Sequence, residues 1–235
     1  MKAKGLKLKR IAKMQNKNVK LFAITLFYAG LTGLQAQTVK DIDGNVYKTI
    51  TISSQVWMAE NLKTTKYQNG DLIGTTTPVT LDIENDSIPK FQWANGGNEN
   101  NVATYGRLYT WYTVSDNRNI CPTGWHVPSD TEWTTLTTYP GGERVAGGKL
   151  KETGTTHWLS PNTGATNESG FTALPGGYRG YNGSFALVGK DGYWWSSTES
   201  SIYLAYYRSM YNNTNFVSRN DTDKQNGYSV RCLRD

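Results

Sequence analysis

The segment Cys121–Trp133 constrains the fold more than any other part of this chain. It holds one of the two cysteines, one of the two histidines, two tryptophans and two prolines. Ser129 is a residue type that caps helix N-termini, and Glu132 lies three residues later, where its carboxylate can reach back to the N–H of the cap. The pattern predicts a helix from Ser129 to about Tyr139, with Trp133 facing the core.

The first 36 residues have the pattern of a secretory signal peptide. Residues 1–20 contain eight Lys or Arg and no acidic residue, an apolar run extends from Leu21 to Leu31, and small and polar residues lead to Ala36. A membrane anchor is the alternative, but the run is shorter than the roughly 20 helical residues that span a bilayer. We predict cleavage after Ala36, with Met14 as an alternative start, and one exported domain over residues 37–235.

Removal of this segment changes the sign of the net charge. The chain has 25 basic and 19 acidic residues and a net charge of +6, but eight of the basic residues lie in residues 1–36. The 17 basic and 19 acidic residues that remain give residues 37–235 a net charge of −2. Because nucleic-acid binding depends on clustered Lys and Arg, nucleic acid is not an expected partner. No second long apolar run occurs, so no transmembrane segment is expected after cleavage.

The chain has two cysteines, Cys121 and Cys232. An even count in an exported protein favours a disulfide, which would pin the last predicted strand to the start of the helix at Ser129. Two buried thiols, or one catalytic thiolate, are the alternatives.

The remaining secondary structure alternates short strands with Gly- and Asn-rich turns. Asp43-Gly44 predicts a hairpin turn before a strand over Val46–Ile52. On propensity alone residues 105–112 suit either a helix or a strand, and Leu108, Trp111 and Tyr112 at helical spacing favour a further helix. Residues 74–90 predict a surface loop. Further strands are predicted at 193–198, 202–208, 216–219 and 228–232. Two helices, short antiparallel strands and long loops together predict an α+β domain.

Six ordered motifs resemble the Fibrobacter succinogenes major paralogous domain family. They are the segment Cys121–Trp133 and residues 57–62, 105–111, 170–177, 194–198 and 227–232. The resemblance covers essentially all of residues 38–235. Such domains are similar to the formylglycine-generating-enzyme and C-type-lectin-like folds. The resemblance therefore implies one compact C-type-lectin-like domain, with its two ends close together and long irregular loops on one side.

The chemistry of these relatives does not carry over. The Glu-Pro-Asn or Gln-Pro-Asp triplet and the Trp-Asn-Asp strand of calcium-dependent lectins are missing, so no metal and no cofactor are expected. Formylglycine-generating enzymes act through a cysteine pair, whereas Cys121 and Cys232 lie far apart in the chain. His126 is expected to pack beside the helix cap and His157 to lie in a loop. No Gly-x-Ser-x-Gly motif occurs. We expect no enzyme activity, although a pair of carboxylates acting on sugars stays open.

Aromatic and arginine side chains in the second half of the chain are the candidate ligand site. Aromatic faces stack on sugar rings and anchor protein interfaces. Trp57, Trp111, Trp125, Trp133 and Trp194 are expected in the core. Two segments look more exposed, and their candidate ligand-binding residues are Tyr178, Arg179, Tyr181, Tyr207 and Arg208. The alternative is that these tyrosines point into the core along their strands.

Asp86-Ser87-Ile88 resembles the three-residue acceptor pattern for O-glycosylation in Bacteroidota, so Ser87 is a candidate modification site in the predicted loop. Altogether, the sequence predicts an exported, non-catalytic recognition or surface-assembly domain whose partner is a glycan or a cell-surface protein. Its location would be the periplasm, the outer cell surface or the medium. A purely structural cell-envelope protein is the first alternative, and a carbohydrate-active enzyme is the second.

Overall fold

The computed structural model describes residues 37–235, so the predicted signal peptide lies outside the described residues. Within them, strands predominate and the four α-helices are short, which confirms the α+β class. The helices are α1 Val102–Tyr105, α2 Trp111–Val114, α3 Asp130–Thr138 and α4 Glu143–Leu150. The C-type-lectin-like arrangement stays a prediction.

The strands form two sheets. The first has the order β1-β2-β3-β13-β6, and the second has the order β11-β10-β9-β12-β5-β4, with β7 pairing β12 and β8. Every pairing is antiparallel except that of β12 with β9. The strands are β1 Thr38–Lys40, β2 Val46–Ile52, β3 Gln55–Met58, β4 Gln92–Ala94, β5 Arg107–Thr110, β6 Trp125–His126, β7 Tyr178–Arg179, β8 Phe185–Ala186, β9 Asp191–Glu199, β10 Leu204–Tyr211, β11 Val217–Asp223, β12 Gly227–Ser229 and β13 Leu233–Arg234.

The segment Cys121–Trp133 is fastened to the last strand in two ways. Cys121 and Cys232 form the predicted disulfide, with their Cα atoms 5.9 Å apart. Next to it, β6 pairs with β13, so that Leu233 lies opposite His126. The capping box is also present, because Ser129 Oγ accepts from Glu132 N at 3.3 Å and Ser129 N donates to Glu132 Oε2 at 2.8 Å. The disulfide and the helix at Ser129 are therefore confirmed.

The prediction of one helix over 105–112 is wrong. Gly106 ends α1 at a φ of 75°, and a Cβ there would lie 2.8 Å from the Leu62 carbonyl oxygen. The chain then runs extended over Arg107–Thr110 and pairs with both β4 and β12. Leu108 and Tyr109 point to opposite faces, yet both are fully buried. A strand covered on both faces lacks the alternation that distinguishes it from a helix.

Two hydrophobic clusters fill the domain. The first includes Tyr109, Trp111, Trp125, Trp195 and both cysteines, and the second includes Trp57, Trp133, Leu136, Trp158 and Trp194. All five tryptophans predicted for the core are buried. In the second cluster, the indole rings of Trp57 and Trp133 lie 4.9 Å apart. No helix among residues 37–235 has the length and hydropathy that crossing a membrane requires.

Candidate functional site

Strands β9 and β10 sort their side chains onto two faces of the larger sheet. Successive residues of a strand point in opposite directions, so Tyr193 and Trp195 share one face while Trp194 occupies the other. Tyr193 and Trp195 belong to the first hydrophobic cluster, and Trp194 to the second. On β10, Tyr207 lies opposite Trp195 and packs against the first cluster. The face that carries Tyr193, Trp195 and Tyr207 bears the candidate site.

Arg208 lies on the other face, so the prediction that it is an exposed ligand-binding residue is wrong. Its side chain is fully buried. It donates to Asp130 Oδ1 at 2.6 Å, to the Asp130 carbonyl oxygen at 3.1 Å and to Thr134 Oγ1 at 3.0 Å. Arg208 therefore holds the start of α3 against the sheet.

Arg179 is also fully buried, which corrects the second arginine assignment. Its guanidinium lies 3.9 Å from the centre of the Trp93 ring. It donates to the carbonyl oxygens of Val79 at 3.0 Å and Leu81 at 2.5 Å. Burial lowers the pKa of Arg179 to about 10, which leaves it charged at neutral pH. Arg179 therefore fastens the hairpin β7–β8 to the loop at residues 79–81.

That hairpin forms one wall of a pocket of about 380 Å³, which we call the tyrosine pocket. Three of the predicted site residues, Tyr178, Tyr181 and Tyr207, line it together. None of its lining residues carries a charge. The lining residues are Tyr178, Gly180, Tyr181, Asn182, Ser184, Leu187, Tyr193, Tyr207, Thr222, Asn226 and Tyr228.

Four of the five tyrosines pack against one another at the base of the pocket. The rings of Tyr193 and Tyr228 are stacked, with centroids 5.1 Å apart, and Tyr207 meets Tyr228 edge-on at 4.9 Å. Tyr178 meets Tyr193 edge-on at 5.5 Å. Trp195 supports Tyr228 at 4.6 Å. Such contacts fix the orientation of each ring. Tyr193 and Tyr228 are buried, so the half-buried rings of Tyr178 and Tyr207 are the ones that present preformed aromatic surface to the pocket.

Neutral hydrogen-bonding groups complete the pocket. Asn226 Oδ1 accepts from Tyr181 N at 3.0 Å, and its amide donates to Thr222 Oγ1 at 2.9 Å. Asn182 Oδ1 accepts from the Ser184 hydroxyl at 2.7 Å. Burial raises the pKa of Tyr207. Its phenol therefore stays protonated at neutral pH and can both donate and accept.

Tyr193 has a carboxylate partner behind the pocket. Its hydroxyl donates to Asp191 Oδ2 at 2.9 Å. Burial, followed by this hydrogen bond, raises the pKa of Tyr193, and burial raises the pKa of Asp191. Asp191 does not line the pocket. It orients the ring of Tyr193 and leaves the pocket surface neutral.

Neither histidine lines the tyrosine pocket. His157 Nδ1 lies 2.9 Å from both carboxylate oxygens of Glu152. His126 lies beside the capping box, as predicted, with Nε2 3.0 Å from Glu132 Oε1 and Nδ1 2.6 Å from Asp235 Oδ1. Burial opposes its protonation, but the hydrogen bonds to Asp235 and Glu132 outweigh burial and raise the pKa of His126.

The raised pKa of His126 predicts a pH-dependent stability. Its contribution should be fully present below the unfolded pKa of about 6.5 and lost as the pH rises through the higher folded value. The side chain is 36% exposed, so we expect well under about 1 kcal/mol. Urea unfolding of the parent and of His126→Gln from pH 5 to 9 measures the difference. Parallel curves over the whole range would contradict this role.

Ser87 lies exposed in the segment 74–90, most of which is loop as predicted. An exposed serine in such a loop can carry a sugar without disturbing the core. We expect the Ser87 peptide of protein purified from its native host to have the added mass of a glycan. An unmodified peptide in that mass spectrum would remove the assignment.

Within residues 37–235, no three His, Cys, Asp or Glu side chains lie together in a way that could hold a metal ion.

The sequence analysis did not identify Tyr193, Tyr228, Asn182 and Asn226 as pocket residues. The alternation along β9 places Tyr193 and Trp195 on one face, and this signal could have grouped Tyr193 with Tyr207. The positions of Asn182 and Asn226 depend on turns that meet only in the folded chain.

Comparison with known proteins gives one family. The Fibrobacter succinogenes major domain matches residues 50–234, which is most of the chain. No curated protein matches, and no solved structure matches.

Proposed function

Because the chain belongs to the Fibrobacter succinogenes major domain family, we propose that this domain is an exported, non-catalytic recognition module that binds neutral sugar rings in the tyrosine pocket. The observation that carries the proposal is the lining of that pocket, with five tyrosines, three polar side chains of Asn and Ser, one Thr, and no charged residue. Aromatic faces stack on sugar rings, and amide and hydroxyl groups match sugar hydroxyls.

The size and rigidity of the pocket support a small ligand. A volume of about 380 Å³ is near the lower end of the range for small-molecule sites, and it suits a monosaccharide or a disaccharide. The ring contacts among Tyr178, Tyr193, Tyr207 and Tyr228 hold the surface in place before binding. A preformed site loses little conformational entropy when a ligand binds.

The positions of the two arginines favour a glycan over a protein partner. An acidic protein would need exposed guanidinium groups at the site. Arg179 and Arg208 are fully buried, where Arg179 donates to Val79 and Leu81 and Arg208 donates to Asp130. The Cys121–Cys232 disulfide supports export, because such bonds persist in oxidising compartments.

Tyr181→Ala is the variant that tests the proposal. Tyr181 is half-buried and belongs to neither hydrophobic cluster, so its removal should leave the melting temperature nearly unchanged. Loss of one stacking face should weaken glycan binding about tenfold. A glycan array, followed by calorimetric titration of the strongest glycan, measures the effect.

Tyr139→Ala is the matched control, because Tyr139 is 63% exposed at the end of α3 and does not line the pocket. It should bind as the parent does. Equal affinity of Tyr181→Ala and the parent for the same glycan would contradict the proposal, as would a parent that binds no glycan on the array. Tyr207→Ala is harder to interpret, because Tyr207 also packs against the first cluster and its loss would lower stability as well as binding.

A further inference from the structure

A second cavity adjoins the tyrosine pocket. Its volume is about 570 Å³. Four segments surround it, namely the loop at residues 84–88, helix α2, the turn between β9 and β10, and the turn between β11 and β12. The lining residues are Glu84, Asn85, Asp86, Ser87, Ile88, Tyr112, Ile202, Tyr203, Asp223, Lys224 and Gln225.

The two cavities share a wall. Thr222 and Asn226 line the tyrosine pocket, whereas residues 223–225 between them line the second cavity. The loop at 83–86 also joins both sites, because Ile83 N donates to the Tyr181 carbonyl oxygen at 2.9 Å. The turn between β11 and β12 therefore borders both cavities.

The shared wall is fixed by one side chain. Gln225 Nε2 donates to the carbonyl oxygens of Glu84 at 2.9 Å and Asp86 at 2.7 Å. These hydrogen bonds fasten the loop to the turn between β11 and β12. The second cavity is thus built from connected segments rather than from independent loops.

The second cavity offers exposed apolar surface. Tyr203 is 70% exposed, Ile202 is 72% exposed and Ile88 is 63% exposed. Large apolar side chains grouped in this way on a surface mark a site of contact. The flat ring of Tyr203 is suited to stacking on a sugar.

Carboxylates supply the polar part of the second cavity. Glu84, Asp86 and Asp223 form no ion pair with any residue in 37–235. The ammonium of Lys224 is turned to Glu199 Oε2 at 2.8 Å and to the Ile202 carbonyl oxygen at 3.1 Å. Carboxylates accept hydrogen bonds from hydroxyl groups, and they repel anions.

We infer that the second cavity continues the sugar site and that the ligand is a neutral oligosaccharide longer than a disaccharide, with acidic glycans disfavoured. This inference rests on the proposed function, in which the tyrosine pocket holds the first ring or two. Tyr203 then stacks on a later ring, and the carboxylates accept from its hydroxyls.

The test measures affinity against ligand length. The probes are neutral cello-, laminari-, xylo- and manno-oligosaccharides, from disaccharide to hexasaccharide. Because Ser87 lines the second cavity, a glycan on Ser87 and a bound oligosaccharide exclude each other there. The probes are therefore titrated into protein made in a host without O-glycosylation. For a series that binds, lengthening beyond the disaccharide should strengthen binding about tenfold. Tyr203→Ala should remove that gain and leave disaccharide binding unchanged, whereas Tyr139→Ala should alter neither.

Charge selectivity supplies the second readout. Oligogalacturonides should bind the parent more weakly than the neutral series of equal length, and the triple variant Glu84→Gln, Asp86→Asn, Asp223→Asn should reduce this difference. Disaccharide binding without any gain on lengthening overturns the inference and leaves the tyrosine pocket intact as a site. An unchanged gain in Tyr203→Ala also overturns it. If no series binds the parent, both the inference and the proposed function fail.

Discussion

Lys151→Met should lower the free energy of unfolding by about 3–5 kcal/mol. The Lys151 side chain is fully buried at the end of α4. Its ammonium donates to the carbonyl oxygens of Thr163 at 3.1 Å, Tyr211 at 2.8 Å and Thr214 at 2.8 Å, and it lies 5.2 Å from the centre of the Trp158 ring. Methionine fills a similar volume but leaves these carbonyl oxygens without that donor.

The charge state of Lys151 agrees with this role. Burial lowers its pKa to about 8, so the amine is still protonated at neutral pH. Three acceptors require three N–H donors, and only the protonated amine has them.

Chemical denaturation at pH 7 measures the loss of unfolding free energy in Lys151→Met. Lys149→Met is the matched control, because Lys149 lies on the same helix in a solvent-exposed pair with Glu168. It should change stability by less than about 0.5 kcal/mol. Equal stability of the two variants would contradict the role of Lys151.

Replacement of both Cys121 and Cys232 by alanine should lower stability by about 4–5 kcal/mol. The bond joins residues 111 positions apart, and closing so long a loop removes much conformational entropy from the unfolded chain. In a domain of this size, the change corresponds to a fall of about 10–15 °C in melting temperature.

The reduced parent is the control for this variant. Both sulfur atoms are buried in the first cluster, so part of the loss in the double variant comes from packing. Reduction without mutation isolates the effect of the bond itself, and it should account for most of the loss. A reduced parent that melts at the temperature of the oxidised protein would contradict the prediction.

Buried cations organise much of the irregular backbone. Lys151 donates to the carbonyl oxygens of two loop residues and of Tyr211 at the end of β10. Arg179 donates to those of two loop residues, and Arg231 donates to those of Phe171 and Thr172. Arg231 is fully buried, and burial lowers its pKa to about 9. Main-chain carbonyls outside helices and sheets need donors, and long side chains can supply them across distant segments.

Local signals in the sequence predicted much of the fold. The capping box at Ser129, the turn at Asp43-Gly44 and the pairing of two cysteines depend on neighbouring residues or on a simple count, and all three are present. The strand Arg107–Thr110 was missed, because burial on both faces gave it no alternation. The number of helices was underestimated at two, because α4 contains Gly147 and Gly148, and glycine is a weak helix former.

The candidate site was predicted only in part. Alternation along a strand shows that Tyr178 and Arg179 point in opposite directions, but it does not show which of them lies at a surface. The buried partner of Arg179 is a loop about 100 residues earlier in the chain, which no local pattern reveals. Tyr178, Tyr181 and Tyr207 line one pocket, whereas the turns that bring Asn182 and Asn226 to them are tertiary features.

A crystal structure of the protein with the neutral glycan that binds it most tightly tests the central claim most directly. The proposal predicts a sugar ring seated in the tyrosine pocket, in stacking contact with Tyr181 or Tyr207 and hydrogen-bonded to Asn182 or Asn226. A glycan bound on another surface, with the tyrosine pocket empty in the same crystal, would contradict it.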